Sequence, residues 1–200
     1  MLLAVRSSFS LEDGDKSAYA GMFSSYLAVD KSSVYNKIID CYHSFLNERI
    51  NHYTDDFRSG NMNVICQKMI NPKYSGVAFS KNVISDSSNE IIIEVCIGLG
   101  ELLVSGVITP MTIFYNIEKG IISEQYESIQ TIKRVIQNEK LVDVSTSSLE
   151  LSAFGINEIQ LISKNLKKLV RLYQKHVDVE WCIDQQNQLH LLQCRPITTR

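Results

Sequence analysis

The feature that most constrains this chain lies at residues 177–183, where Val177, Val179, Trp181 and Ile183 alternate strictly with Asp178, Glu180 and Cys182. A period of two marks a strand with one buried face, because successive side chains on an extended backbone point to opposite sides. A polar stretch and a second run at residues 189–194 follow at once, so the pair reads as a β-hairpin. If the reversal falls on Gln186-Asn187, a two-residue loop sets Glu180 opposite Gln193 and Asp178 opposite Arg195. Directly opposed residues share a face. That face would carry two carboxylates, an amide and a guanidinium, while Val179, Trp181 and Ile183 turn into a core. A slip of one residue in the turn would scatter the four polar groups over both faces.

Helical spacing is the next signal. Val34, Ile38, Cys41, Tyr42, Phe45 and Ile50 recur at nearly helical intervals behind a capping Ser32 or Ser33, which predicts a helix over residues 33–53. Asn157 with Gln160 three positions on resembles a capping box, and Ile159, Ile162, Leu166, Leu169, Val170 and Tyr173 then form an apolar stripe toward His176. Residues 64–70, 76–80 and 91–97 are short β-branched or apolar runs, the first two divided by Asn71-Pro72, and read as strands. Residues 112–117 and 121–125 flank Glu118-Lys119-Gly120, whose glycine can take the positive φ of a tight reversal. Residues 126–155 are weakly periodic and polar around 145–148, as in an exposed connection. The sum is an α+β domain spanning residues 1–200, with room for two lobes, built of mixed sheets, flanking helices and a C-terminal β-hairpin.

Composition excludes several classes. With 44% hydrophobic residues the chain can bury a substantial core. Its 20 basic and 22 acidic side chains give a formal charge of −2 and form no long single-sign block, so neither nucleic acid nor a membrane surface is an expected partner. Cys41, Cys66, Cys96, Cys182 and Cys194 are odd in number and contain no C-x-x-C pair, which fits a reducing cytoplasm better than a disulfide framework or a zinc site. The apolar start at residues 1–5 is too short for a signal peptide or a span.

An acidic and amide-bearing face beside an arginine suits a magnesium-bound nucleotide. Magnesium takes hard oxygen donors, one or two carboxylates completed by phosphate and water, and an arginine fork grips phosphate. Glu180, Gln193 and Arg195 supply such groups. The plainer reading is an exposed hairpin whose charges pair across strands, at roughly 0.2–1 kcal/mol each. Gly98-Leu99-Gly100-Glu101, after a buried-looking strand, is either a loop whose backbone can approach a ligand or an ordinary strand-to-loop turn. It carries neither a P-loop lysine nor a dinucleotide fingerprint. Arg6-Ser7-Ser8 offers a cation and hydroxyls fit for phosphate, or a solvated loop.

Six stretches in register resemble the ATP-binding domain of the phosphoenolpyruvate synthase, pyruvate phosphate dikinase and rifampicin phosphotransferase family. They are VRSSFSLED at residues 5–13, YAG at 19–21, QKMI at 67–70, SGVAFS at 75–80, GLGE at 98–101, and DVEW with LLQCRPIT at 178–181 and 191–198. The resemblance implies an ATP-grasp-like fold with ATP and Mg2+ as ligands. Carried over by motif, Arg6 would contact the polyphosphate, Gly21 and Ser25 the loop over it, and Gln67 and Met69 the adenine-side strand. Glu180 and Gln193 would bind the metal, Asp178 would assist them or orient neighbours, and Arg195 would stabilise charge on the transferring phosphates.

The same resemblance implies cleavage of ATP to AMP and phosphate through a phosphohistidine on a separate domain, with pyruvate or an antibiotic as the final acceptor. His43, His52, His176 and His190 do not resemble the carrier-histidine loop. A family lysine from a segment ahead of VRSS has no counterpart in the five residues before Arg6, and Met22-Phe23 and Met111 depart from the family pattern. The expectation is a partial, N-terminally truncated ATP-binding domain, inactive alone, whose first lobe segment and histidine carrier lie on other chains. A rifampicin phosphotransferase-like fragment, or a non-catalytic regulatory nucleotide-binding module, are the alternatives.

Overall fold

A computed structural model describes residues 1–9, 13–14, 17–18, 24–45 and 61–197. In chain order they form β1 (Leu3–Phe9), β2 (Asp13–Gly14), β3 (Ser17–Ala18), β4 (Ser25–Val29), α1 (Val34–Phe45), β5 (Met62–Lys68), β6 (Pro72–Phe79) and β7 (Glu90–Ile97). There follow α2 (Glu101–Val104), β8 (Met111–Asn116), β9 (Ile121–Tyr126), β10 (Ile132–Gln137), β11 (Lys140–Ser145), a 3-10 turn (Ser148–Ala153), α3 (Ile156–Tyr173), β12 (Val177–Asp184) and β13 (Leu189–Pro196). The chain divides into two compact units, residues 1–69 with 136–141, and residues 70–135 with 142–200.

The first unit is a three-stranded antiparallel sheet of order β4-β1-β5 with α1 on one face. Val5, Val29 and Cys41 form its buried centre, joined by Tyr26, Ile38 and Val64. Asp30, rather than either serine, organises the entry to α1, accepting the backbone N–H groups of Ser32 at 2.8 Å and Ser33 at 3.1 Å. Of the helix expected over residues 33–53, Val34–Phe45 is helical and residues 46–53 lie outside the described residues.

The second unit is a six-stranded sheet of order β13-β12-β6-β7-β8-β9. The expectation of mixed sheets is corrected here, since every pairing within the three- and six-stranded sheets is antiparallel. The short links between β6 and β7, β8 and β9, and β12 and β13 cannot carry a strand back for a parallel pairing, which needs a crossover of a dozen residues or more. One face of the sheet is sealed by α3, whose Ile159, Ile162 and Leu166 pack on Ile93, Ile113, Val179 and Trp181. Trp181 also stacks on Phe154 at 5.8 Å between ring centres. Room for that ring comes from Gly76 opposite it, where a Cβ would lie 2.8 Å from Trp181 Cζ2 and 1.8 Å from the Glu94 carbonyl oxygen.

Two local expectations shift. α3 is capped two residues ahead of the expected pair, with the Gly155 N–H donating to Glu158 Oε2 at 2.9 Å, and it closes at Tyr173 with Gln174 in the left-handed region. Residues 126–155, expected as an exposed connection, hold the β10-β11 ribbon and the 3-10 turn, and their Gln130, Leu151 and Phe154 are buried.

Candidate functional site

The β12-β13 hairpin carries the expected pairs, Asp178 opposite Arg195 and Glu180 opposite Gln193. It reaches that register by a different route from a two-residue loop. Ile183 pairs with Leu189, so the connection is longer, and Asp184 ties it: its backbone N–H donates to the Gln188 carbonyl at 3.0 Å. Asp184 Oδ1 accepts the N–H groups of Gln186 at 2.9 Å and Gln188 at 2.8 Å, and Oδ2 lies 2.8 Å from His190 Nε2. These contacts hold the Asp184 carboxyl below its usual range, His190 contributing most. Left uncorrected, that turn would place Gln193 one residue out of step. An irregularity opposite the Glu180-Trp181 step, where Leu192 is the extra residue, restores the pairing.

Alternation then sorts the first half of β12, while Cys182 and Asp184 near its end are buried as well. Val177, Val179, Trp181 and Ile183 are buried on the α3 side, and Asp178 and Glu180, on the other face, are half-buried. Arg195 donates from Nε to Asp178 Oδ1 at 3.0 Å and from Nη2 to Oδ2 at 3.2 Å, so its fork is held in a fixed plane. Gln193 and Glu180 occupy the adjacent row of the same face, with Val77 next across the sheet and Glu94 beyond it. Glu94 was not among the residues singled out from sequence. The signal for it was a carboxylate inside an otherwise apolar strand, and burial pushes its carboxyl up from the ordinary value. Among the described residues no group of three or more His, Cys, Asp or Glu side chains is placed to hold a metal by itself. The oxygens of Glu180 and Gln193 fit the hard, partial donor set that magnesium completes with phosphate.

The first unit has a polar face of its own. Arg6 on β1 is flanked by Ser25 on β4 and Ile65 on β5, and Gln67 stands opposite Ala4, two residues along. By strand parity Arg6, Ser25 and Gln67 therefore share the face away from Val5 and α1. The Met69 N–H donates to the Leu2 carbonyl at 3.0 Å, which continues the same edge. Gly21 lies outside the described residues.

The Gly98–Glu101 stretch has a structural explanation. Gly98 has φ +80°, and a Cβ there would sit 2.6 Å from the Arg134 carbonyl oxygen, which accepts the Leu99 N–H at 2.9 Å. Its own carbonyl accepts Ser75 Oγ–H at 2.7 Å. Arg134 reaches back to Glu101 at 2.9 Å and grips Asp143 through two bonds of 2.6 and 2.8 Å. What approaches this glycine closely is β10. The buried Gln130 seals the same corner, its amide bonding to both the N–H and the carbonyl of Ile97 at 2.9 Å.

Known proteins share this whole segment. A protein of Bacillus subtilis named "Uncharacterized phosphotransferase YvkC" is 32% identical over 204 residues, which cover 98% of this chain and 24% of that protein. A "Probable phosphoenolpyruvate synthase" of Archaeoglobus fulgidus is 35% identical over 209 residues, covering 98% of this chain and 27% of its own length. A rifampicin phosphotransferase of a Streptomyces species is 27% identical over 206 residues, 98% of this chain and 23% of that one. The chain thus spans about a quarter of the length of the curated relatives it matches. The family model described as "Pyruvate phosphate dikinase, AMP/ATP-binding domain" matches residues 1–200. On that match, and on the register that gathers Asp178, Glu180, Gln193 and Arg195 on one sheet face, the chain belongs to the pyruvate phosphate dikinase AMP/ATP-binding domain family.

Proposed function

We propose that this chain is the magnesium-ATP-binding and phosphoryl-transferring part of a phosphoenolpyruvate synthase-like dikinase, with an ATP-grasp-like fold. The observation that carries the reading is the β12-β13 register, which puts a bidentate arginine two residues from an amide and a carboxylate on the same face. Phosphoryl transfer asks little covalent chemistry of a protein, and positioning with charge stabilisation supplies most of the rate. Arg195, clamped by Asp178, meets the charge that builds on the transferring phosphate. Glu180 and Gln193 hold the metal through oxygen, and bound magnesium would neutralise the polyphosphate. Glu94 adds negative potential on the same face.

On the first unit, Arg6 contacts the polyphosphate, Gly21 and the β4 residue Ser25 contact it beside Arg6, and Gln67 and Met69 form the adenine-side edge. We place the phosphohistidine carrier outside these residues. His176 is engaged by Ser80 Oγ at 3.1 Å and Ser88 Oγ at 3.3 Å, and His190 by Asp184. The acceptor, pyruvate in this reading, meets the carrier rather than this chain, so isolated chain binds nucleotide with negligible turnover.

Calorimetric titration with magnesium-ATP tests this. Glu180→Ala and Arg195→Ala are each expected to weaken binding at least about tenfold, the scale of one charge-assisted contact. Unchanged affinity in both variants, with fold retained, would sink the reading.

A further inference from the structure

The α3 side of the six-stranded sheet holds a second polar site that the nucleotide reading does not use. A groove of about 400 Å³ runs beside α3 and the end of β8, lined by Tyr115, Ser163, Lys164, Lys167, Lys168 and Arg171 among others. Tyr115 and Ser163 are only 4% and 5% exposed. By pairing register, Tyr115 lies across from Ile91 on the core face of the sheet, opposite the face of Glu180 and Gln193.

We propose that this groove binds a small phosphoryl-bearing anion of two or more negative charges. Four cations at helical spacings of three and four occupy one face of α3, an arrangement of repelling neighbours that an anion relieves. Among the described residues none of the four makes an ion pair, and neither the Tyr115 nor the Ser163 hydroxyl has a hydrogen-bond partner. Both hydroxyl oxygens reach solvent, since among the described residues the fully buried side-chain polar atom left without a partner is Trp181 Nε1, so the two unpartnered hydroxyls and the four unpaired cations lining this groove are donors open to a ligand.

Donor type and size then define the ligand. Six side chains that can donate, one of them a guanidinium fork, match a group with three acceptor oxygens and a double charge better than a single carboxylate. The volume falls at the lower end of small-molecule sites, which run about 300–1,000 Å³. The cluster is local: the chain as a whole carries a formal charge of −2, so it is not one patch of a generally basic surface. A polymer of phosphates would need a longer track than two helical turns.

The test is a titration of the 15N-labelled 200-residue chain with sodium pyrophosphate at constant ionic strength, read at the amides of residues 115–117 and 160–171. Saturable shifts at those residues are expected, with a saturation curve independent of any shifts at the Arg6 and Arg195 strands. K167A/K168A, an exposed double substitution that leaves the core alone, should lower the affinity at least about tenfold, as loss of two charge-assisted contacts requires. Tyr115→Phe keeps the buried ring and removes one donor, so about a threefold loss is expected with no change in melting temperature. Arg195→Ala should leave pyrophosphate binding at the groove unchanged, so this site and the nucleotide reading fail separately. Absence of saturation, equal shifts with sodium chloride, or full binding by K167A/K168A would overturn the proposal. Tighter binding of an acidic peptide than of pyrophosphate would overturn it too, in favour of a protein partner.

Discussion

The terminal hairpin and the Gly98–Glu101 loop look equally ligand-like as strings of residues, and the structure separates them. In the hairpin, alternation sends Val177, Val179, Trp181 and Ile183 to α3 and leaves Asp178, Glu180, Gln193 and Arg195 on the opposite face, outside that apolar cluster, with Arg195 oriented by Asp178. In the loop, each special residue is spent on the protein itself. Gly98 admits the Arg134 carbonyl, Ser75 bonds the Gly98 carbonyl, and Glu101 is engaged by Arg134. A glycine's freedom says only that something comes near. Whether that something is a ligand or another strand is decided by tertiary neighbours.

The sharpest way to break this contrast is Gly98→Ala. An alanine at φ +80° is strained, and its Cβ would meet a backbone oxygen at 2.6 Å that cannot swing away as a side chain would. The expected loss is about 3 kcal/mol of folding stability, combining left-handed strain with displacement of β10. Thermal denaturation should show it as the largest drop among the substitutions considered. Magnesium-ATP affinity, measured well below the melting temperature, should stay near wild type. The opposite pattern, intact stability with lost affinity, would return the loop to the ligand site and erase the distinction.

That outcome bears on what the sequence makes legible. The strict alternation of residues 177–183 fixed both the strand and its two faces, because a half-buried strand admits only one assignment. The reversal is less legible: Asp184 reads as the polar end of a strand but anchors a longer turn, and the compensating extra residue Leu192 has no compositional mark. Two misplacements cancelled, leaving Glu180 opposite Gln193 as expected. Residues 126–155 were unreadable for another reason. Gln130 is a polar residue used as core, 1% exposed, and β10 and β11 have half-exposed side chains with little contrast between faces. Arg6, Ser25 and Gln67 were named by motif, and only strand pairing shows that they share a face.

A milder test of the loop's structural role targets its strap. Arg134 bonds both Glu101 and Asp143, and the contacts hold Asp143 below its ordinary value, with the guanidinium as the cause. The group is partly exposed, so solvent screens the pairs. Arg134→Met should therefore cost only about 1 kcal/mol in chemical denaturation, shrinking as salt is added. A loss as large as that from Gly98→Ala would mean that the strap, rather than the backbone contact, holds the corner.

The smallest expected effect belongs to the hairpin side. Asp184 is held below its usual value by His190 first and by the Gln188 and Gln186 N–H groups after it, so the folded state favours its ionised form. A depressed carboxyl contributes stability that is fully present above the unfolded value, about 3.9, and is lost as pH falls through the lower folded value. Other depressed carboxyls, among them Asp30, Asp86 and Asp143, titrate in the same window, so the contribution has to be read as a difference. Asp184→Asn keeps an oxygen for the turn amides and removes the charge. Melting temperatures of the two proteins should differ slightly at pH 6, draw together as pH falls below about 3.9, and converge only below the depressed folded value of Asp184. If turn and register are separable, the Glu180 and Gln193 amides should keep their protection from exchange at low pH while Gln186 and Gln188 lose theirs. Simultaneous loss at all four would show that the turn, and not the pairing with β6 and the Leu192 irregularity, sets the register of the site.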